Sequence, residues 1–483
     1  MRVLYLAAEA VPLIKVGGLG DVAGSLPRAL RRLPVKPDVR LVIPFHGGTD
    51  RSSLKVEPVA AFTLPTTTDT QGVEVFAADV DGLPVYLIAG SMLPPEAPVY
   101  AHPREDAYKY TFFSLASLEL ARVLDWWPDI LHANDWHTAP ALYAVWLRRR
   151  YEAVYGGLST LLTVHNLPYL GSGAEEALQA FGLPPAEEGD LPKWARHLPL
   201  PLGLMSADFV NTVSTGYARE ILTPEYGLGL EDFLKRRQDT LFGIINGLDL
   251  EQWNPETDPN LPATFHQQNL APRVENKLAL QERVGLPLEA ETPLLAMIGR
   301  MDHQKGVDIA IEALHDLEDC PWQAVILGKG DAHIEAAATE LEKTFPQRVR
   351  VRIEYNAPLG NLIYGGADML LIPSRYEPCG LTQMIAMRYG CVPVARETGG
   401  LADTVCDYDR CKDSTGFLFS EPTARSLIFT LRRALTVYGD QRRWKPLQQR
   451  GMRRDFSWQR SAEEYYQLYQ ALLKRKPSDT IER

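Results

Sequence analysis

Short apolar runs recur along the whole chain, and their spacing divides it into two similar halves. In the first half they fall at residues 3–8, 39–43, 85–88, 130–132, 161–164 and 209–213, with helical periods between several of them. The run at 3–8 leads into a glycine-rich turn and then a helical stretch from about residue 21 to 33, the strand–turn–helix opening of a doubly wound sheet. Pro27 lacks a backbone donor inside that stretch, which predicts a kink or a late helix start. In the second half the runs at 294–298, 324–327, 349–353, 369–372 and 392–395 are unalternating, as parallel strands covered on both faces should be. Between them Val307, Ala310, Ile311, Leu314 and Leu317 follow helical spacing and define one buried face. The pattern therefore predicts an α/β fold with two such units in tandem. Residues 246–276, with several prolines and a polar run at 264–269, read as the crossing between the units. A last aromatic-rich helix is predicted at 459–474, and pattern alone assigns it no role.

Length and composition sharpen this picture in two places. A chain of 483 residues exceeds what one core organises, so about two or three domains are expected. No run approaches the roughly 18 apolar residues of a membrane span, and residues 1–10 read as a strand without the features of a signal peptide, so the cytoplasm is the expected location. The five cysteines form no C-x-x-C pair, and their scatter suits reduced thiols; a Cys406–Cys411 pair is the less favoured alternative. A net charge of −11 argues against a nucleic-acid surface, so any phosphate handled here must be met by a few local cations.

Lys15-Val16-Gly17-Gly18-Leu19-Gly20-Asp21 follows the first strand directly. Its glycines can bring backbone N–H groups against a ligand at a helix N-terminus, where phosphate binds well, although a mere tight turn would look the same. The run does not fit G-x-G-x-x-G, which disfavours a dinucleotide. Further segments follow in order: His132-Ala133-Asn134-Asp135-Trp136-His137-Thr138, Thr163-Val164-His165-Asn166, Gly243-Ile244-Ile245-Asn246-Gly247-Leu248-Asp249, Gln304-Lys305-Gly306, Glu377-Pro378-Cys379-Gly380-Leu381-Thr382-Gln383 and Thr398-Gly399-Gly400-Leu401-Ala402-Asp403-Thr404-Val405. Together with the K-x-G-G-L-x-D-V turn, this set resembles the starch and glycogen synthase family from Lys15 to about Trp458. The resemblance implies the GT-B architecture: Rossmann-like domains at 1–250 and 251–457 facing across a cleft, and a C-terminal helix at 458–483 returning to the first. It also implies a retaining glycosyltransferase that moves glucose from ADP-glucose to an α-1,4-glucan, with UDP-glucose as the alternative donor. No metal or cofactor is expected, and no nucleic acid or membrane partner. A pyridoxal-phosphate glucan phosphorylase and a non-catalytic glucan-binding regulator are the rival readings. No motif for the first is seen, and the intact Lys15, Arg300, Lys305 and Glu377 oppose the second.

Physical chemistry gives most of these residues a role beside the resemblance. Arg300 and Lys305 follow the run at 294–298, at the carboxyl edge where such sheets bind ligands. Arg can hold two phosphate oxygens and Lys supplies a point charge, so the pair can neutralise a diphosphate without metal. Gly380, Leu381 and Thr382 open a predicted helix whose N–H groups can meet the same phosphates. Lys15, Gly17, Gly18 and Asp21 line the first turn on the donor side. Asp135, His165, Asn166, Asn246 and Glu377 lie at strand ends or the turns after them, and form the ring of donors and acceptors that a sugar needs. Asp135 could equally cap a helix. By resemblance, Tyr355 stacks on the nucleotide base, while Tyr100 and Trp136 lie with Asn166 on the acceptor side. Cys379 lies within the donor motif and need not react. Position 385, where many retaining GT-B enzymes carry a second glutamate, is Ile385, and His165-Asn166-Leu167-Pro168-Tyr169-Leu170-Gly171 also departs from the commoner family pattern.

Overall fold

A computed structural model describes residues 1–50, 54–94, 98–187 and 189–475. The chain forms two compact units: Met1–Gly247 together with the chain from Trp458 on, and Leu248–Ser457. In unit 1 the strands are β1 (Arg2–Leu6), β2 (Asp38–Pro44), β3 (Glu57–Pro65), β4 (Thr70–Val80), β5 (Leu83–Gly90), β6 (Ile130–Asn134), β7 (Ser159–Val164), β8 (Phe209–Thr212) and β9 (Leu241–Gly243). They form one sheet in the order β3-β4-β5-β2-β1-β6-β7-β8-β9. Pairing is parallel from β5 to β9 and antiparallel at β3–β4 and β4–β5. Unit 2 holds β10 (Leu294–Ile298), β11 (Gln323–Gly328), β12 (Val349–Ile353), β13 (Met369–Ile372), β14 (Val392–Arg396) and β15 (Phe417–Phe419). These are all parallel, in the order β12-β11-β10-β13-β14-β15.

The apolar runs have the expected cause. In β1, Val3 and Tyr5 enter one core layer while Leu4 and Leu6 enter the other. In β10, Leu295 and Met297 face one layer and Leu294 and Ala296 the opposite one. With both faces covered there is no solvent side for polar residues to occupy. Within the parallel strands the chain order reverses at one place in each sheet, between β1 and β6 in unit 1 and between β10 and β13 in unit 2. The crevice outside the carboxyl ends of such strands is where open α/β sheets bind ligands.

Three expectations are corrected, concerning Pro27, the crossing at 246–276 and the Cys406–Cys411 pair, while the return of the last helix to unit 1 is as expected. The first helix spans Gly18–Arg32, so Pro27 neither delays its start nor interrupts it; the ring is buried on the core face. The segment 248–272 belongs to unit 2: Leu248, Leu261 and Phe265 lie in its core, and Leu248 N–H donates to Phe456 C=O at 2.6 Å. The division therefore falls after Gly247, not after residue 250. From Trp458 the chain is part of unit 1 through the helix Trp458–Lys474, whose Tyr465, Leu468, Tyr469 and Leu472 share a core layer with Val22 and Leu26. Tyr469 Oη pairs with His132 Nδ1 at 2.7 Å, and Asn211 Nδ2 donates to Tyr465 Oη at 2.9 Å, which gives the aromatic face its purpose. Residues 476–483 of the expected C-terminal helix lie outside the described residues. Finally, Cys406 and Cys411 form a disulfide, while Cys320, Cys379 and Cys391 are free thiols. A turn made by the Arg410 and Cys411 amides on Asp407 C=O brings the two cysteines together.

Candidate active site

In unit 2 the chain leaves β10 at Ile298 and turns past Arg300 to Lys305. Gly306 then enters the helix Val307–His315 with φ of +68°, and a Cβ there would sit 2.1 Å from Pro373 O, so only glycine fits. This close approach brings the β10 loop against the loop after β13. Across it Lys305 Nζ lies 2.7 Å from Glu377 Oε2, which also accepts Ser374 Oγ–H at 3.0 Å. Arg300 pairs with Asp302 at 3.0 Å and donates to Gln304 Oε1 at 3.1 Å, with 59% of its side chain exposed. Gly400 N–H donates to Glu377 C=O at 3.0 Å and ties the second glycine motif to the glutamate. Gly380 and Leu381 precede the helix Thr382–Arg388, and Cys379 and Ile385 are buried. Tyr355, beyond the end of β12, is 91% exposed.

In unit 1 the site forms where β1, β6 and β7 end. Asp135 opens the helix Asp135–Arg148 with φ of +55°, a strained conformation for a non-glycine residue. It does not cap that helix; its Oδ1 accepts the His165 N–H at 2.7 Å. Burial pushes the Asp135 carboxyl up to about 7, against the His165 and Asn166 amides that lower it. Asn134 Nδ2 donates to Leu6 C=O at 2.8 Å, so its Oδ1 faces His165 Nε2 at 2.9 Å. The proton on His165 is therefore on Nε2, and Nδ1 is the ring's acceptor. Burial lowers the His165 imidazole to about 3, so it is neutral at pH 7. His137 is likewise buried and its basicity depressed by burial, beside Trp136 at 4.4 Å and Tyr100 at 5.3 Å between ring centroids. The Oδ1 atoms of Asn166 and Asn246 have no hydrogen-bond partner within the protein, a cost that a ligand hydroxyl removes.

The Lys15–Asp21 turn holds a residue that motif reading passed over. Glu9 lies at the end of the first apolar run and is completely buried. Its carboxylate accepts the Val16 and Gly17 amides, the latter at 3.0 Å, and the Tyr100 hydroxyl at 3.1 Å. Burial raises its pKa, opposed by those hydrogen bonds. The Gly17 amide is thus engaged inward, while Gly18 is exposed and Lys15 pairs with Asp21 at 2.7 Å. Unit 1 therefore assembles Lys15, Gly18, Asp21, Tyr100, Asp135, Trp136, His165 and Asn166 at the ends of its central strands. Unit 2 joins Lys305 to Glu377, on the loop that leads into the Gly380–Thr382 turn, and carries Arg300 on the same loop as Lys305. Asn134 and Gln304 stand in the sequence motifs without a role and Ser374 in none; the structure makes all three supporting residues. Among the described residues no group of His, Cys, Asp or Glu is placed to hold a metal ion, and no helix is long and apolar enough to cross a membrane.

Residues 2–236 match the starch synthase catalytic domain family, and residues 281–449 match the glycosyl transferases group 1 family. A glycogen synthase of Anaeromyxobacter dehalogenans is 41% identical over 98% of this chain and 100% of its own length, and one of Streptococcus sanguinis is 37% identical with the same coverage. The solved catalytic domain of Starch Synthase IV from Arabidopsis thaliana, bound to ADP and acarbose, is 33% identical, covers 98% of this chain and 99% of its own, and superposes with a TM-score of 0.87. A sucrose-phosphate synthase from Thermosynechococcus elongatus, 19% identical with a TM-score of 0.60 over 98% of this chain and 99% of its own, shares the fold. The two Rossmann-like units are those of GT-B glycosyltransferases, and the chain belongs to the glycogen and starch synthase family.

Proposed function

We propose that the enzyme transfers glucose from ADP-glucose to the 4-hydroxyl at the non-reducing end of an α-1,4-glucan, with retention of configuration. The observation that carries this reading is the contact between Lys305 and Glu377 at 2.7 Å, with Arg300 exposed on the same loop. Two cations suit a diphosphate that gains charge as it leaves, and a carboxylate suits a sugar carbon that becomes positive. The bond from C1 to the diphosphate breaks with its electron pair on the phosphate oxygen. The acceptor oxygen bonds to C1 on the same face, and its proton passes to the departing phosphate. Glu377 Oε2 receives hydrogen bonds from both Lys305 and Ser374, so the carboxylate is suited to orient and stabilise rather than to take a proton. His165, neutral and with Nδ1 as acceptor, receives a glucose hydroxyl. Lys15, Gly18 and the Gly380–Thr382 turn meet the phosphates, Asn246 and Asp135 help hold the sugar, and Tyr355 stacks on the base. Tyr100, Trp136 and Asn166 serve the glucan.

For the donor, support comes from the relatives named glycogen synthase and from the plant enzyme bound to ADP. The test is to incubate the protein with glycogen and either ADP-glucose or UDP-glucose and to measure released nucleotide. Faster turnover is expected with ADP-glucose; equal or better turnover with UDP-glucose overturns the donor assignment. Because Arg300 and Lys305 supply the countercharge, EDTA is expected to leave the rate unchanged, and strict dependence on a divalent cation would refute that role.

A further inference from the structure

We propose that Glu9 is a positioning residue for the donor: its buried carboxylate, rather than the glycines alone, shapes the Lys15–Asp21 turn. The inference rests on the reading that Lys15 and Gly18 meet the donor. A buried carboxylate is costly unless strong donors surround it. Those donors here are two amides of the turn, Val16 and Gly17, and the hydroxyl of Tyr100. The turn is wrapped around the carboxylate: a Cβ on Gly17 would lie 3.2 Å from Glu9 Oε1, and one on Gly20 would lie 3.2 Å from Oε2. At Gly18 a Cβ would meet nothing within 4 Å. The glycines thus divide the work. Gly17 and Gly20 make room for Glu9 on the inner side, and Gly18 opens the helix Gly18–Arg32 on the outer side. Lys15 is steadied from outside by Asp21. Tyr100 donates to Oε1 of the same carboxylate, a bond that the remaining amide oxygen of a glutamine can still accept, whereas Val16 N–H donates to Oε2.

In a Glu9→Gln variant one oxygen becomes an NH₂ donor, which cannot accept an amide N–H. The turn loses a charge-assisted hydrogen bond without losing side-chain volume. The test is steady-state kinetics of Glu9→Gln beside Lys15→Ala, varying donor and glucan separately, with hydrogen exchange of the Val16 and Gly17 amides as a second readout. The donor KM is expected to rise roughly tenfold in both variants, with kcat within about threefold and glucan KM unchanged. The two amides should exchange faster in Glu9→Gln alone. A raised donor KM in Lys15→Ala with none in Glu9→Gln overturns the role of Glu9 and leaves the donor reading intact. No change in either variant overturns the donor reading and this inference with it. A loss shared equally by kcat and both KM values in Glu9→Gln marks a general structural role and also overturns the proposal. If Glu9→Gln does not fold, Gly17→Ala tests the same contact by pressing a methyl group against Oε1, and the same donor-specific signature is expected. Its absence counts against the proposal.

Discussion

The two units treat charge in opposite ways. Around the ends of β1, β6 and β7 three titratable groups are withdrawn from water and held by hydrogen bonds within the unit, beside the more exposed Lys15–Asp21 pair: Glu9 on two amides and a phenol, Asp135 on the His165 amide, His165 on Asn134. Burial drives these groups toward their neutral forms, with Asp135 raised to about 7 and His165 lowered to about 3. Around the ends of β10 and β13 the cations are wet, with a quarter of Lys305 and more than half of Arg300 exposed. A sugar carries no charge and is best held by fixed dipoles. A diphosphate is dianionic or more, and cations for it cannot be buried beforehand without a large desolvation cost.

The strongest test of that contrast is in unit 2. Glu377→Gln preserves shape and removes the negative charge, so kcat should fall by about 10³ or more while the Kd for the donor changes little. Rapid-quench measurement of glucose transfer beside equilibrium donor binding distinguishes the cases. A variant that only binds the donor less well, or a glucosyl adduct found on a protein side chain, would sink the same-face mechanism. Next in size, Arg300→Ala and Lys305→Ala each leave diphosphate charge uncompensated and should cost about 10²–10³ in kcat/KM. Near-normal activity in both would mean that the phosphates are met elsewhere.

How much of this was legible beforehand follows the same division. The strands of unit 2 stood out because Leu294–Ile298 and Met369–Ile372 face a core on both sides, and their predicted limits coincide with β10 and β13. The β3–β4 hairpin is not legible in the sequence because its outer strand is largely exposed and β4 alternates between buried and exposed positions instead of forming an unbroken apolar run. Arg300, Lys305 and Glu377 were readable as charges after strands, and the structure joins the last two directly. The roles of Glu9 and Asn134 were not readable. Their importance lies in backbone amides and side-chain amide orientation, contacts between segments that residue identity does not encode. The Cys406–Cys411 pairing was missed because spacing alone cannot show that a turn on Asp407 closes the loop.

A smaller effect should expose the neutral character of unit 1. The folded Asp135 carboxyl titrates at about 7, whereas an unfolded one does so near 3.9. Between those values the folded state holds a proton that the unfolded chain has released, so this group lowers stability as pH rises from about 4 to 7 and adds no further loss above. The amide introduced by Asp135→Asn would carry no such proton, and its oxygen can still accept the His165 N–H. Urea unfolding of Asp135→Asn and the parent at several pH values should show the variant gaining on the parent across that window, by at most about 4 kcal/mol. Parallel stability curves would mean that the carboxyl is not perturbed.

The smallest effect concerns redox chemistry, which the sequence confines to unit 2, since all five cysteines lie between Leu248 and Ser457. With Cys406 and Cys411 paired, air-exposed protein unfolded without reductant should titrate three thiols, and five after treatment with a dithiol. Five thiols before reduction would refute the pairing. The loop is short, with a separation of five residues, so the chain-entropy argument assigns the bridge only about 2 kcal/mol. That contribution is local. Cys406 is bound to Thr415 through both backbone groups, and neither cysteine contacts Arg300, Lys305 or Glu377 in the hydrogen bonds that define the site. Reduction should therefore lower the unfolding midpoint of unit 2, followed at Trp322 and Trp444, while glucose transfer at 25 °C stays within about twofold of the oxidised enzyme. A reduced enzyme that loses most of its activity while unit 2 stays folded would show that the turn on Asp407 reaches the donor site after all, through Thr404, which lies two residues before Cys406 and bonds to Gln383 of the motif helix.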